Sequence, residues 1–299
     1  MNTKDVAAFR ELQAKTGMLI SGSTALQFFD RTCYPDTDLD LYVMHTGAFE
    51  VSHWLTTIGY RYQPSLNGPS TFVWAFLDAS AGQTPAAPPL YPRRGIIGVF
   101  GFFNPGCHQS VQLIVVIFSP IEVILDFHST CMMNFIAHDR AVALYPYETF
   151  ERGVSLICQV AGPHHVEART KYVRRGWSMA LHLTHAQTTD PKSDFCIGHR
   201  FVGDKKCWSI PLPSVPGYGP STIKANSWNH GYSILLGGKP TAMRLTGPCP
   251  VGQYIVAGSN ILSFIMPIME GKMKANNQPI DDEITRLLIF FNHNFTIYH

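Results

Sequence analysis

The chain has 299 residues, of which 45% are hydrophobic and 15% are charged. This composition excludes an intrinsically disordered protein and allows one large hydrophobic core or two smaller ones. The 23 basic and 21 acidic residues give a formal charge of +2, which excludes a dedicated nucleic-acid binder with a broad basic face but not a local basic groove.

The first predicted elements are a helix, a strand, a tight turn and a second helix. Residues 5–14 form an amphipathic helix, because apolar residues such as Phe9 and Leu12 recur along one side. Residues 18–20 form a short apolar strand that leads into the turn Ser21-Gly22-Ser23-Thr24. The apolar residues that follow the turn predict about two further turns of helix.

The next predicted strand carries two acidic residues on one face. Turn-forming residues occupy positions 34–37, and residues 38–43 (DLDLYV) then alternate between polar and apolar side chains. Side chains two positions apart on a strand project from the same face. Asp38 and Asp40 therefore share one face, and the intervening leucines enter the other.

Residues 48–60 are predicted to form a helix. The segment STFVWAFL (70–77) has the composition of a strand, and the Pro- and Ala-rich residues 81–94 are predicted to be a mobile surface loop. Residues 95–103 and 110–118 are both strand-like, and the Asn-Pro-Gly-Cys sequence between them predicts an antiparallel hairpin.

A helix is predicted from Pro120 to about residue 137. The character of the chain changes near Gly162-Pro163, where a basic helix begins that is followed by a region rich in Gly, Pro and Trp. This change predicts a core domain over residues 1–160 and a C-terminal accessory domain over residues 161–299 that covers a cleft.

Two acids on one strand face can hold divalent cations for nucleotidyl transfer, since Mg²⁺ prefers hard oxygen ligands. Gly22 lets the backbone approach a triphosphate closely, and the amides at the following helix N-terminus attract its negative charge. Asp38 and Asp40 are therefore candidate metal ligands. The alternative is an ordinary turn followed by acids that face solvent.

LISGSTALQFF followed by YPDTDLDLYV resembles the Gly-Ser plus Asp-x-Asp pattern of the nucleotidyltransferase superfamily, the DNA polymerase beta-like group. The motifs occupy residues 20–43, and the implied topology extends over roughly residues 15–140. The resemblance implies an α/β (α+β) fold with a mixed, mostly antiparallel sheet flanked by helices. The second half of the chain is similar to uncharacterised fungal proteins in sequence segments such as FHSTCMMN and KYVRRGW.

The superfamily usually has a third carboxylate on a later strand, inside an apolar-acid-apolar triplet. Here Gln112 occupies that position, in Ser110-Val111-Gln112-Leu113-Ile114. A neutral amide is a poorer Mg²⁺ ligand than a carboxylate and cannot accept the proton of an attacking hydroxyl. Glu122 or Asp126, on the next predicted helix, are alternative sources of the missing carboxylate.

The resemblance implies that Asp38 and Asp40 bind Mg²⁺ or Mn²⁺, and that Gly22 and Ser23 bind the phosphates of a nucleoside triphosphate. Lys171, Arg174 and Arg175 form a basic stripe at helical spacing that can meet phosphates if it faces the cleft. The alternative for this stripe is a solvated helix face.

The function expected from these residues is Mg²⁺-dependent transfer of a nucleoside monophosphate to a hydroxyl of RNA, a protein or a small molecule. Because of Gln112, the alternative is a degenerate protein that binds a nucleotide, RNA or a protein partner without turnover. In a third hypothesis, the two aspartates only face solvent in a structural protein.

The first residues carry charges throughout and lack the apolar segment of a secretory signal. No apolar run approaches the roughly 20 residues that a membrane helix requires. The seven cysteines are odd in number and scattered, which favours a reducing compartment. We therefore expect a cytoplasmic protein without a membrane partner, and these patterns predict no particular oligomeric state.

Overall fold

A computed structural model of the chain describes residues 3–34, 37–81, 95–158, 163–230, 232–234 and 243–245. The helices in these ranges are α1 (Thr3–Thr16), α2 (Gly22–Asp30), α3 (Ala48–Thr57), α4 (Phe72–Ser80), α5 (Pro120–Leu125), α6 (Pro163–Arg174) and α7 (His185–Thr189). The first strands are β1 (Leu19–Ser21), β2 (Leu39–Met44), β3 (Arg61–Gln63), β4 (Ile96–Asn104), β5 (Gln109–Val116), β6 (Asn134–Ile136) and β7 (Arg140–Ala143). The later strands are β8 (Val154–Leu156), β9 (Ser178–Ala180), β10 (Gly198–Phe201), β11 (Trp208–Pro211), β12 (Ser227–His230), β13 (Tyr232–Ile234) and β14 (Met243–Leu245).

The described residues form a mixed α/β structure built on one eight-stranded sheet with the order β11-β7-β6-β1-β2-β5-β4-β3. Every neighbouring pair in this sheet is antiparallel except β2 and β5, which run parallel. The expectation of a mostly antiparallel mixed sheet flanked by helices is confirmed at this level. The sheet has more strands than expected, because β6, β7 and β11 extend it beyond β1.

The elements at the start of the chain lie where the sequence predicts them. Helix α1, strand β1, helix α2 and strand β2 follow one another. Strands β4 and β5 form the predicted antiparallel hairpin. The longer of these elements have a clear local signal, because their hydrophobic residues recur with the period of a helix or of a strand. The three-residue strand β1 is located instead by the Gly-Ser turn that follows it.

The strand expected at residues 70–77 was wrong, since Phe72–Ser80 is the helix α4. Thr71 caps this helix by accepting a hydrogen bond from the Trp74 amide. The buried residues are Phe72, Ala75 and Phe76, and their spacing of three and four residues is that of a helix face. A short apolar run is compatible with either a strand or a helix. The Thr71 cap and the spacing of the buried residues favour the helix.

The helix expected from residue 120 to about 137 was also wrong in length. Helix α5 ends at Leu125, and strand β6 pairs with β1 and β7 on the way back into the sheet. Glu122 lies in α5 and Asp126 is its C-terminal cap residue. Strands of three residues, such as β6, are too short to show a hydrophobic period.

The two faces of the sheet pack against different parts of the chain. Leu41 and Leu113 point to one face, where residues from α1, α3 and α4 cover them. Tyr42 and Ile114 point to the other face, where α5 and the later part of the chain cover them. The even-numbered positions of β2 and β5 therefore face the C-terminal part of the protein.

Residues beyond 160 take part in the same sheet and core as the residues before it. Strand β11 pairs with β7 at the edge of the sheet. Trp228 is fully buried in the cluster that also contains Ile114, and its Nε1 donates a hydrogen bond to Tyr145 Oη at 3.1 Å. The sheet therefore continues across the proposed boundary, and the division into two domains stays a prediction.

Two further expectations meet the limits of the described ranges. Within those ranges, no helix combines the length and the apolar composition needed to cross a membrane. The loop expected at residues 81–94 falls almost wholly on residues 82–94, which lie outside the described residues.

Candidate functional site

A row of polar side chains lies at one end of the central strands. Asp40 pairs with Ser21 across the antiparallel β1–β2 ladder and with Gln112 across the parallel β2–β5 ladder. Asp38 precedes Asp40 by two residues, so both project from the face that carries Tyr42 farther along β2. Asp38, Asp40, Gln112 and the adjoining turn residues Gly22 and Ser23 are called the carboxylate site below.

Gln112 is bound directly to one of the two aspartates. Its Nε2 lies 2.6 Å from Asp38 Oδ2. A carboxylate only accepts hydrogen bonds at neutral pH, so the Gln112 amide must present its NH₂ group to Asp38 and its Oε1 elsewhere. The position expected for a third carboxylate therefore lies within the site. Its residue, Gln112, donates a hydrogen bond there, whereas a carboxylate would only accept one.

The Gly22 turn lies against the carboxylate of Asp40. Gly22 has φ +66°, and a Cβ atom at this position would lie only 1.9 Å from Asp40 Oδ2. A residue with a side chain would be strained here and would collide with Asp40. Glycine thus allows the carboxylate and the backbone of the turn to approach each other.

Helix α2 begins at this turn without a side-chain cap. Ser21 precedes the helix but makes no capping hydrogen bond, since its Oγ donates instead to Asn134 O at 2.6 Å. The first turn of α2 also contains no acidic residue. The amides at this helix N-terminus therefore retain their attraction for an external anion.

The end of helix α6 brings the later part of the chain to the same turn. Tyr172 Oη lies 3.3 Å from Ser23 Oγ, and Arg175 Nη1 donates to Ser23 Oγ at 3.4 Å. The Arg175 guanidinium also stacks on the ring of Tyr34, 3.7 Å from its centroid. Two side chains from the later part of the chain thus converge on the hydroxyl of Ser23.

Lys171 supplies positive charge to the carboxylate site. Burial and the neighbouring Arg175 lower the Lys171 pKa, whereas the charges of Asp40 and Asp38 raise it. Lys171 and Arg174 are both exposed, so exposure does not distinguish them. The links to the carboxylate site are the charges of Asp38 and Asp40 that act on Lys171 and the hydrogen bond from Arg175 to Ser23.

The environment of Asp40 disfavours its ionised form. Burial, followed by the negative charge of Asp38, raises the Asp40 pKa to about 7, and Lys171 opposes this shift. No described residue donates a hydrogen bond to the Asp40 carboxylate. An additional positive charge near Asp40 would therefore be stabilised strongly.

The raised Asp40 pKa predicts how stability depends on pH. The ordinary Asp pKa is 3.8, and the pKa of Asp40 in the fold is about 7. Between these two pH values the folded protein binds more protons at Asp40 than the unfolded chain does. The contribution of Asp40 to stability therefore falls as the pH rises through this window. We expect Asp40→Asn to increase the free energy of unfolding at pH 8 by on the order of 2 kcal/mol.

Chemical denaturation at pH 8 and pH 4.5, in the presence of a chelator, would measure this effect. The advantage of Asp40→Asn should shrink towards zero at the lower pH, because the wild-type carboxyl is then protonated in the fold. Asp78→Asn is the control, since Asp78 is exposed. An equal advantage at both pH values would contradict the assignment.

The residues present fit a divalent cation that takes its remaining ligands from elsewhere. Asp38 and Asp40 offer carboxylate oxygens, whereas Gln112 points its NH₂ group at Asp38 and would offer Oε1 to a cation only after its amide group rotates. In the part of the chain that the structure describes, no group of three or more His, Cys, Asp or Glu is placed to hold a metal ion. Mg²⁺ commonly uses one or two carboxylates and completes its shell with phosphates and water.

The alternative third carboxylates are placed differently from Gln112. Glu122 lies beside Gly95, which accepts a hydrogen bond from Ile117 just after the far end of β5. The charges that act on the Asp40 pKa are those of Asp38 and Lys171, and neither Glu122 nor Asp126 is among them. The geometry therefore favours Gln112 as the residue at the third position.

Comparisons with models of protein families, with curated proteins and with solved structures found no significant match for this chain. The resemblances to nucleotidyltransferases and to fungal proteins therefore stay predictions. What supports a function is the carboxylate site itself.

Proposed function

We propose that the carboxylate site binds a nucleoside triphosphate with Mg²⁺ or Mn²⁺ and transfers the nucleoside monophosphate to a hydroxyl, which loses its proton, with release of pyrophosphate. The observation that carries this proposal is the juxtaposition of Asp38 and Asp40 with the Gly22 turn on one face of the sheet. Divalent cations and phosphates require this combination of carboxylate oxygens and free backbone amides.

The triphosphate binds where the backbone and the basic side chains meet. The amides at the start of α2 and the Ser23 hydroxyl contact the β and γ phosphates in this proposal, and Gly22 lets the backbone of the turn lie against the Asp40 carboxylate. Arg175 already donates to Ser23 Oγ, so its guanidinium lies within reach of a phosphate bound there. Lys171 adds a second positive charge on the same side.

Asp38 and Asp40 hold the cation in this proposal, with Gln112 Oε1 as a neutral ligand. A bound divalent cation would neutralise phosphate charge and lower the pKa of an attacking hydroxyl. The two carboxylates position the reacting groups, and their mutual repulsion favours a cation between them. The acceptor, a hydroxyl of RNA, a protein or a small molecule, enters beside α6.

The order of elements supports a nucleotidyltransferase-like fold for this part of the chain. Strand β1, the Gly-Ser turn, helix α2 and the acid-bearing strand β2 follow one another, and β2 runs parallel to β5. The turn and both acids thus lie at one end of three adjacent central strands, β1, β2 and β5. This arrangement matches what the family resemblance implies.

A second function, nucleotide binding without turnover, is favoured by one contact. Gln112 donates a hydrogen bond to Asp38 Oδ2, whereas a carboxylate in its place could accept the proton of an acceptor hydroxyl. The phosphate-binding groups do not depend on residue 112. A protein with this site can therefore bind a nucleotide and lack the base for transfer.

Two measurements distinguish these functions from each other and from a structural role for the aspartates. Thermal shift with each of the four ribonucleoside triphosphates, with Mg²⁺, with Mn²⁺ and with a chelator, reports binding. Incubation with α-³²P-labelled nucleotides and an RNA or protein acceptor reports transfer. Metal-dependent binding with transfer supports the enzyme, and binding alone supports the degenerate protein. No binding rejects both.

Replacing Gln112 with an acid should strengthen the cation site. We expect Gln112→Asp to raise the affinity for Mn²⁺ by about 10-fold, since a third carboxylate adds a charged ligand. Without metal the same variant should be less stable than the wild type, because three carboxylates then repel one another. Calorimetric titration with Mn²⁺ measures the first effect, and denaturation in a chelator measures the second.

Gln112→Asn is the matched control, because it shortens the side chain equally and stays neutral. If Gln112→Asp and Gln112→Asn bind Mn²⁺ equally, residue 112 has a different role from the one proposed.

A further inference from the structure

A cavity lies at the opposite end of the central strands from the carboxylate site. Its volume is about 360 Å³, and Leu19 and Met44 line it. Met44 is the last residue of β2, four positions beyond Asp40, which corresponds to about 13 Å along a strand. The cavity is therefore separate from the carboxylate site.

Three buried polar side chains line this cavity: Gln13, His138 and Asn226. They are 3%, 7% and 5% exposed. Each of them uses a nitrogen to bond a backbone carbonyl oxygen. The bonds are Gln13 Nε2 to Ile136 O (3.2 Å), His138 Nε2 to Gly219 O (3.1 Å) and Asn226 Nδ2 to Ile223 O (2.9 Å).

These three bonds fix the orientation of the polar groups. A backbone carbonyl only accepts, so each bonded nitrogen must be the donor. The two amide oxygens and, in the neutral ring, His138 Nδ1 are then acceptors. No hydrogen bond from a described residue reaches Gln13 Oε1 or His138 Nδ1, so a ligand in the cavity can use both as acceptors. Asn226 Oδ1 is buried without a partner and has almost no accessible surface, so a ligand in the cavity does not reach it.

The remaining lining is largely apolar and carries no carboxylate. Met18 and Ile223 are buried in it, and Phe118 and Tyr218 lie at its exposed part. Lys15 is the charged residue of the lining, and its Nζ is bound to Glu50. Because no carboxylate lines the cavity and Glu50 already pairs with Lys15, the lining offers no free charge to an ionic ligand.

We propose that this cavity is a binding site for a small, uncharged, flat molecule with an apolar body and two or more N–H donors. An aromatic carboxamide or an amino-substituted heteroaromatic ring has this chemistry. The apolar body packs against the lining between Met18 and Phe118, and the N–H groups donate to Gln13 Oε1 and His138 Nδ1. The volume is within the range of sites that hold small organic molecules.

Benzamide and benzoate form a matched pair of probes for this site. They have nearly the same shape, but benzamide donates two N–H bonds, whereas benzoate is charged and only accepts. Ligand-observed NMR titration of the full chain should give millimolar binding of benzamide and at least about 10-fold weaker binding of benzoate. Equal binding of the two probes, or no saturable binding of benzamide, would overturn the proposal.

Substitutions at Gly219 locate the binding. Gly219 lines the cavity, and a Cβ atom added there meets no atom within 4 Å. Gly219→Leu places a bulky side chain at the wall of the cavity and should abolish benzamide binding, while Gly219→Ala leaves room for the probe and retains it. Benzamide binding that Gly219→Leu leaves unchanged would place the probe elsewhere and overturn the proposal.

Gln13→Met provides an independent test if Gly219→Leu does not fold. It removes one acceptor, keeps a side chain of similar length, and should weaken benzamide binding by about 10-fold without affecting benzoate. An equal effect on both probes would reject the role of the acceptor. Because nucleotide binding is not involved, the result is independent of the proposed function.

Discussion

The double variant Asp38→Asn, Asp40→Asn is expected to lose metal-dependent nucleotide binding by about 100-fold or more while it keeps its fold. Both anionic ligands become neutral amides. Lys171 then repels the metal cation, and neither residue 38 nor residue 40 carries a negative charge to attract it. The fold tolerates the change, because Asp38 is partly exposed and the ionised form of Asp40 is already disfavoured.

Isothermal titration calorimetry with each nucleotide, in Mg²⁺ and in a chelator, measures this loss, and circular dichroism checks the fold. Asp78→Asn is the matched control, as it removes one exposed carboxylate far along the chain from the site residues. Nucleotide binding that persists unchanged in the double variant would reject Asp38 and Asp40 as ligands.

Gly22→Ala is expected to lower the free energy of unfolding by about 3 kcal/mol, for two separable reasons. The positive φ of Gly22 strains any residue with a side chain, which costs about 1 kcal/mol. The new Cβ would also overlap Asp40, whose Cγ lies 2.9 Å from its position. The collision accounts for the remainder.

The two causes can be separated with a glycine of the same conformation. Gly17 also has φ +66°, and a Cβ added there meets no atom within 4 Å. Gly17→Ala should therefore show the strain alone. Combining Gly22→Ala with Asp40→Ala should reduce the loss at Gly22 to the same value in a double-mutant cycle. If Gly22→Ala costs no more than Gly17→Ala, Asp40 does not press against the turn.

The local part of the site could be predicted from the sequence. The alternation around Asp38 and Asp40 determines which face they share, and the Gly-Ser turn is contiguous with its helix. These features depend on residues close together in the chain or on strands that are long enough to show a hydrophobic pattern. The place of Gln112 beside Asp40 is expected only from the family resemblance, because no pattern within β2 or β5 gives their parallel register.

The contacts from the later part of the chain could not be predicted in the same way. Tyr34 and Arg175 stack on each other. Both lie in segments that the sequence singles out, but their contact depends on how α6 packs and shows in neither segment. The orientation of the basic stripe follows from Tyr172, which is buried against Leu26 and Trp177 and so turns Lys171 towards the site. A helix with charges on several sides does not show in its sequence which side is buried.

The way the sheet is assembled has a consequence for synthesis on the ribosome. Residues 19–21 at its centre pair with residues 134–136, and the outer strand comes from residues 208–211. Such distant pairings close slowly, because long loops must be ordered before any contact forms. A nascent chain that stops short of α6 already contains both aspartates but lacks the lysine and arginine that balance them, so the charge of the site is complete only late in translation.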